Sequence, residues 1–393
     1  MSDRLRIAVI SGETYDELYA RLPEFERSIG TKVEIAYSAP HPQLNAHLAS
    51  LATVSYDLVS THTKYAPSQL SFLAPLDQIA DRLELDQFYP SLINLATIDS
   101  HLYGIPRNLD VKLLHYRCDL LRDAPASWND LVDTARRLSN GNFYGFVFPG
   151  MESGLFGIFY ELAEMGGASL FPSSNEPSLS NAGGRWALDI IRELYQSRSV
   201  PEQIVGWHYD EAHRCFREGK AAMICDWPGY YGAYRDPEQS QVSNAFALVR
   251  MPGGPTGIRK AYSGAHTFAL TRRGVENPAA IALLRFLTSY DQQLFEARRG
   301  VVPPRPAVLE QVRNEAEPHV AQRWNLLETV ISHEMLIPPK FSYYPEIEEI
   351  LWRTVQLAMT GALPVDDALH QMEDKIAECH RNHARTALKN ASG

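Results

Sequence analysis

The chain has 393 residues, of which 45% are hydrophobic and 21% charged, with a formal net charge of −10 at pH 7. That length exceeds one ordinary core and predicts two domains of globular composition. The acidic balance argues against nucleic acid or anionic membrane as a partner, since both need a basic face, and no apolar run reaches the roughly 18 residues of a membrane span.

Met1-Ser2-Asp3 runs straight into an apolar strand, Leu5–Ile10, without the basic and apolar regions of an export signal. The start reads either as cytoplasmic or as an exported protein whose signal peptide is not part of the chain. The strand ends at Ser11-Gly12. Thr14-x-x-Glu17 has capping-box spacing and opens a helix with Leu18, Leu22, Phe25 and Ile29 on one face, interrupted at Pro23 and ended by Gly30. Val33, Ile35 and Tyr37 alternate as a second strand, Leu44, Leu48 and Leu51 mark a helix, and Tyr56–Ser60 is a third strand. The β-α-β-α-β order predicts a parallel sheet flanked by helices, with ligand held beyond the carboxyl ends of its strands. Those ends are Ser11-Gly12-Glu13, Tyr37-Ser38 and Thr61-His62-Thr63-Lys64-Tyr65.

Tyr103-Gly104-Ile105-Pro106 is a short strand stopped by a proline, which has no ladder donor. Arg107-Asn108-Leu109-Asp110 is a polar break, and Val111–Tyr116 resumes as a half-buried strand. The segment reads either as strand, loop and strand or as a hinge carrying a ligand-facing carboxylate. A second α/β series follows. Ser127 caps a helix with Leu131, Ala135 and Leu138 beneath it, and Phe143–Pro149 is a strand leading to an apolar helix that ends at Gly166-Gly167. Trp186, Ile190 and Leu194 mark the next helix. Helix His208–Phe216 then turns at Gly219 into strand Ala221–Cys225, which delivers Asp226-Trp227-Pro228. After the loop Met251–Pro255, Tyr262–Leu270 is a returning strand, Pro278–Tyr290 and Asp291–Arg299 are paired helices, and helices Ile347–Met359 and Pro364–Cys379 close the chain.

Motifs for catalysis are missing: there is no GxSxG, no HExxH, no Walker loop and no GxGxxG after the first strand. His62, His266 and His333 are the histidines able to converge, but they lack zinc-site spacing. Cys118, Cys215, Cys225 and Cys379 are too scattered for a disulfide framework and read as free thiols, with Cys215–Cys225 the one pairing considered. Neither cofactor nor metal is expected. Aromatics, in contrast, gather at strand ends and loops: Tyr65, Tyr103, Trp207, Trp227, Tyr230, Tyr231, Tyr262, Tyr343 and Tyr344. Aromatic faces beside Asp, Glu, Arg and Asn suit the flat C–H faces and hydroxyl rims of sugars, although inter-lobe packing explains any one of them equally well. The pairs Tyr230-Tyr231 and Tyr343-Tyr344 leave ferric iron as a minor alternative.

The order of these motifs resembles the extracellular solute-binding proteins of ABC importers, of the maltose-binding-like (family 1) carbohydrate type. The pieces that carry it include Tyr56-Asp57-Leu58-Val59, Leu73–Asp77, Tyr103–Pro106, Leu114–Leu120, Ser127–Leu131, Phe216–Met223, Pro252–Pro255 and Gly300–Arg305, with Gly361 and Asp367-Ala368-Leu369 at the end. No single piece is specific; their order over nearly the whole chain is. Arg117-Cys118 departs from the family's usual Asn-Lys.

The resemblance implies an α/β, two-lobed periplasmic-binding-protein fold with a ligand cleft between lobes, residues 1–108 plus 262–312 forming one and 111–258 plus 315–393 the other. It implies a periplasmic, monomeric, non-enzymatic protein that hands a mono- to trisaccharide or glycoside to membrane permease subunits. Site residues that match the family by position are Thr61, Lys64, Tyr65, Asp110, Glu152, Phe156, Phe159, Asp226, Trp227, Tyr343 and Tyr344, and His62, Tyr262, Gly264 and His266 are expected at the site beside them. Lys64, Arg107 and Arg305 would suit an acidic sugar, but Arg107 pairing with Asp110 explains itself without one, so a neutral sugar is favoured. A glycoside-processing enzyme using Asp110 and Glu152 is the remaining alternative. Crossings between lobes are expected near Arg107–Val111, Ile258–Ala261 and Val312–Glu315, with Gly257 free to absorb hinge rotation.

Overall fold

The computed structural model describes residues 4–51 and 53–391; Met1-Ser2-Asp3 lie outside the described residues. The first lobe is built on a five-stranded sheet in the order Lys32–Ala39, Arg4–Ile10, Leu58–His62, His266–Leu270, Ile105–Pro106. The first three strands are parallel, and His266–Leu270 runs against them. Strand period explains why Arg4–Ile10 becomes apolar on both faces from Ile7 onward, after Arg4 and Arg6 at its more exposed start. Leu5, Ile7 and Val9 face a cluster with Phe25, Leu270 and Leu284, while Ala8 and Ile10 face Leu44, Leu48 and Val59 on the opposite side.

The first helix departs from the expected capping box. It begins at Glu13, capped by Gly12 at φ 134°, and no side chain caps it. The chain leaves the strand through a conformation that only glycine adopts readily, which starts the helix before Thr14 can cap it. The interruption falls between Tyr19 and Leu22, and Gly30, left-handed at φ 76°, ends the second half.

The second lobe holds a three-stranded antiparallel sheet, Phe246–Val249, Leu113–Arg117 and Met223–Asp226. Helices Trp128–Leu138, Glu152–Gly166, Ala182–Gln196, Tyr344–Thr360 and Val365–Ala391 surround the largest hydrophobic core. Ser127 and Asp130 form a reciprocal capping box: Asp130 N–H donates to Ser127 Oγ at 3.1 Å, and Ser127 N–H to Asp130 Oδ2 at 3.1 Å. Phe143–Pro149 is not a regular strand; it touches the sheet only through single bridges at Tyr144 and Val147.

Between the lobes lies a small sheet of Met335–Leu336, Ala261–Gly264 and Asp110–Val111. The expected strand Tyr262–Leu270 is therefore two, split at Ala265 between this sheet and the first lobe's. Val312–Glu315, the expected third crossing, is the end of helix Pro306–Glu315. The third strand of the small sheet comes later, at Met335–Leu336, after helix Pro318–His333. Val308, Val312, Trp324 and Val330 pack these helices onto Leu109, Val111 and Ala261. All four cysteines are free, so the Cys215–Cys225 pairing is not made. No helix among the described residues is long and apolar enough to cross a membrane.

Candidate functional site

A cavity of about 210 Å³ lies where the carboxyl ends of the first lobe's parallel strands face the second lobe. From the first lobe come Gly12 and Tyr15 after the first strand, His41 after the second, and His62 and Lys64 at the end of the third. Asn108, Asp110, Gly264 and His266 contribute from the segments joining the lobes. His208, Tyr209, Asp210, Trp227, Tyr230 and Tyr262 close the second-lobe side.

Strand register sets the floor. His266 lies opposite His62, and Gly264 opposite Asp110. A Cβ on Gly264 would fall 2.3 Å from His62 Cε1, so the imidazole rests directly on the glycine backbone. The two imidazole centroids are 4.9 Å apart, and His41 is 4.8 Å from His266. The Tyr15 hydroxyl is 3.0 Å from His266 Nε2, which lies 3.3 Å from Asp110 Oδ2. Asn108 fixes this group from both ends: its Nδ2 donates to Asp110 Oδ1 at 2.7 Å, and its Oδ1 accepts from His266 N–H at 3.2 Å. Burial pushes His266 down to about 3 and His62 and His41 well below the ordinary histidine range, so all three are neutral at pH 7. Burial also pushes Asp110 up to about 7, against the pull of Arg107, Asn108 and Lys64.

Across the cavity, Trp227 lies 5.9 Å from Tyr209 and 6.2 Å from Tyr262, forming a wall of aromatic faces. Lys64 reaches from the first lobe into the second: its ammonium donates to Glu348 Oε1 at 2.6 Å and to the Tyr262 hydroxyl at 2.9 Å. Glu348 also accepts from the hydroxyls of Tyr65 and Tyr344.

Of the residues expected at the site, His62, Lys64, Asp110, Trp227, Tyr262, Gly264 and His266 line the cavity. The others stand behind it or away from it. Tyr65 and Tyr344 are held on Glu348, and Phe156 is buried against Tyr262 and Tyr344, where it supports the wall. Thr61 donates to Gln69 at 2.6 Å, and Asp226 accepts from the Tyr234 hydroxyl and from Trp227 N–H. Glu152 lies 3.4 Å from His208 and off the wall, so it does not face Asp110 as a carboxylate partner. Arg107 does not pair with Asp110. It is bound to Glu296 at 2.5 Å, the Tyr19 hydroxyl at 2.9 Å and the Tyr15 carbonyl at 3.1 Å. Arg305 is buried elsewhere in the first lobe, against Phe88, Glu84 and the Thr288 carbonyl. His333 is exposed at the end of its helix, and neither Tyr231 nor Tyr343 reaches the cavity, so the tyrosine pairs do not assemble an iron site.

Tyr15, His41, Asn108, His208 and Tyr209 were not anticipated. Tyr15 and His41 follow strand ends by a few residues, and extending each expected loop by one helical turn would have reached them.

The possible ligand atoms of His62, Asp110 and His266 lie within 4.8 Å of one another. Their hydrogen bonding is set for another task. Lys64 N–H donates to His62 Nδ1 at 3.1 Å, which leaves the ring proton on Nε2, and His266 Nδ1 has no partner. Metal-bound imidazoles hold their second N–H on an acceptor, and neither ring does so here. Donors and acceptors set at fixed positions opposite aromatic faces match a polyhydroxylated ligand instead.

Residues 20–322 match the family model of bacterial extracellular solute-binding proteins. A probable ABC transporter-binding protein of Deinococcus radiodurans is 24% identical over 320 residues, spanning 78% of this chain and 75% of that protein. The mannitol-binding protein of Pseudomonas aeruginosa is 25% identical over 336 residues, 78% of this chain and 76% of its own length. In structure the chain is similar to maltose-bound T. maritima MalE3, with a TM-score of 0.86 and 25% identity over 95% of this chain and 98% of that one. It is also similar to an Agrobacterium vitis ABC transporter solute-binding protein with bound D-mannitol, at a TM-score of 0.82 and 17% identity over 97% and 99%.

Proposed function

The chain belongs to the bacterial extracellular solute-binding proteins, and on that premise we propose that it is the substrate-binding component of an ABC transporter for a small carbohydrate. It captures the solute between its lobes and delivers it to the membrane permease subunits, acting as a periplasmic monomer and not as an enzyme. The observation that carries this reading is the cavity itself: Trp227, Tyr209 and Tyr262 offer stacking faces, opposite the fixed polar groups of His62, Asn108, Asp110 and His266. A volume of about 210 Å³ favours a monosaccharide or polyol, the small end of the expected range. The mannitol-binding relative points the same way.

The lobes in this reading are residues 1–108 with 262–312 and 111–258 with 315–393, bending about the small sheet that joins them. Trp227 and Tyr262 stack on the sugar, Asp110 accepts from its hydroxyls, and His62 donates through Nε2. Binding to the folded protein raises stability by RT ln(1 + [L]/Kd), about 2.7 kcal/mol at a hundredfold excess over Kd. A thermal-shift screen over monosaccharides, polyols, disaccharides, amino acids and short peptides tests the proposal. Sugars or polyols are expected to raise Tm; a response confined to amino acids or peptides overturns it.

A further inference from the structure

Charge pairing around the cavity narrows the solute class, taking the carbohydrate reading as its basis. Three buried cations stand next to the cleft, and each already has its own carboxylate. Arg107 pairs with Glu296 at 2.5 Å, Lys64 with Glu348 at 2.6 Å and Lys112 with Glu161 at 2.8 Å. Lys64 is the one lysine or arginine among the described residues that lines the cavity, and its charge is matched within the protein.

The wall also carries Asp110, Asp210 and Glu211, and their hydrogen-bond partners are neutral. Asp110 is held by the Asn108 amide and faces an uncharged imidazole; Asp210 accepts from the Tyr230 hydroxyl at 3.0 Å; Glu211 accepts from His208 N–H at 2.9 Å. Asp110 is 8% exposed, and Arg107 and Lys64 act on it only from a distance, each paired with another carboxylate; a buried carboxylate without a cation in contact is costly. The same cavity is lined by the aromatic side chains of Tyr15, Trp227, Tyr230 and Tyr262, and aromatic faces attract cations.

We propose that the solute is cationic, an amino sugar or aminopolyol whose ammonium is held by Asp110 among these rings, with Asp210 and Glu211 adding to the attraction. An acidic sugar meets the opposite situation. Arg107, Arg305 and Lys64, the cations that would have recognised it, are all engaged within the protein, and its carboxylate would enter beside three others.

The test is calorimetric titration of EDTA-treated protein at pH 7 with matched pairs: D-glucose and D-glucosamine, D-galactose and D-galactosamine, D-mannitol and 1-amino-1-deoxy-D-mannitol. D-glucuronate and zinc chloride complete the panel. At least one aminated member is expected to bind about tenfold or more tightly than its parent, the range of a charge-assisted contact, and glucuronate is expected not to bind. In Asp110→Asn the amine preference should fall to near parity while the thermal transition stays sharp. The wild-type pairs decide the matter even if that variant fails to fold. Neutral parents binding as well as their amines overturn this inference and leave the carbohydrate reading standing, as does sugar binding that requires added zinc. If no member of the panel binds, the carbohydrate reading falls and this inference falls with it.

Discussion

Arg107 illustrates what a buried ion pair does here. Its guanidinium, 2% exposed, is closed in by Glu296, Tyr19 and the Tyr15 carbonyl, with aromatic rings over its face. Such a pair adds little net stability over a well-packed apolar replacement, yet removing one partner strands the other. Arg107→Leu should therefore cost about 3–5 kcal/mol in urea unfolding, and Arg107→Leu/Glu296→Leu should recover most of it. A double variant no more stable than the single would show that Glu296 is not the stranded group. Trp227→Ala tests the wall instead: loss of a stacking face worth about 1–2 kcal/mol should weaken sugar binding about five- to thirtyfold in a calorimetric titration. An unchanged Kd would remove Trp227 from the ligand's contacts. At this scale the sequence was half legible. Lys64, Asp110 and Trp227 could be placed near a strand end or the hinge, but partners such as Glu296 and Glu348 lie 189 and 284 positions away and carry no local signal.

Elements were more legible wherever a side-chain period or a cap fixes them within one segment. The capping box at Ser127 is such a case, and Ser127→Ala should destabilise the protein by about 1 kcal/mol without changing ligand affinity, because that helix end lies away from the cavity. A Kd shift in that variant would mean that the helix end is coupled to the site. The side-chain pattern of Arg4–Ile10 and the β-α-β-α-β order located the strand ends, which is why Gly12, His62 and Lys64 could be placed near the ligand side of the first lobe. Thr14 misled because a capping-box pattern says nothing of where a preceding glycine turns the chain. Of the small connecting sheet only two crossing points, near Arg107–Val111 and Ile258–Ala261, could be read; the sheet itself could not. Its strands are two to four residues long and come from three distant parts of the chain. Helices Pro306–Glu315 and Pro318–His333 belong with that sheet through side-chain packing, a long-range contact that gives no signal at Val312–Glu315, where a third crossing was expected.

For the whole molecule, contacts across the mouth of the cavity bear on closure. Glu13 of the first lobe meets Arg217 at 3.0 Å and His213 at 3.4 Å, both on a second-lobe helix. The approach of His213, more than the Arg217 charge, holds the Glu13 carboxyl down at about 2. His213 is raised above its ordinary value: burial opposes its charge, but the carboxylates of Glu13 at 3.4 Å and Asp226 at 3.7 Å outweigh burial. Arg217 and the rings of Tyr230 and Tyr234 complete its surroundings. Because His213 is raised, its share of the latch is complete below about 6.5 and is lost as pH rises through the raised value. Because Glu13 is depressed, its share is present above the ordinary carboxylate range and is lost only as pH falls toward 2. Glu13→Gln should therefore weaken ligand binding more at pH 6 than at pH 9, read as the ratio of mutant to wild-type Kd. An equal ratio at both values would mean that His213 plays no part.

Gly229 and Thr14 allow closure itself to be tested without touching a charge. A Cβ on Gly229 would fall 2.3 Å from Thr14 Cγ2 and 3.2 Å from its Oγ1, a clash between the two lobes. Bending the lobes apart would relieve that clash, so Gly229→Ala is expected to disfavour the arrangement in which Thr14 meets Gly229. A ligand that contacts both lobes must then overcome the added cost, and its apparent affinity falls by the fraction of closed-competent protein. The variant is expected to bind about tenfold more weakly, a penalty of about 1.4 kcal/mol, with the melting temperature of the free protein unchanged. Adding Thr14→Ala removes the methyl group it strikes and should return Kd to that of Thr14→Ala alone. Small-angle scattering gives the structural half of the answer. At a ligand concentration near the wild-type Kd the wild type should be more compact than Gly229→Ala, and the double variant should match the wild type. Equal radii for all three proteins, with equal Kd values, would show that the approach of Thr14 to Gly229 plays no part in ligand capture.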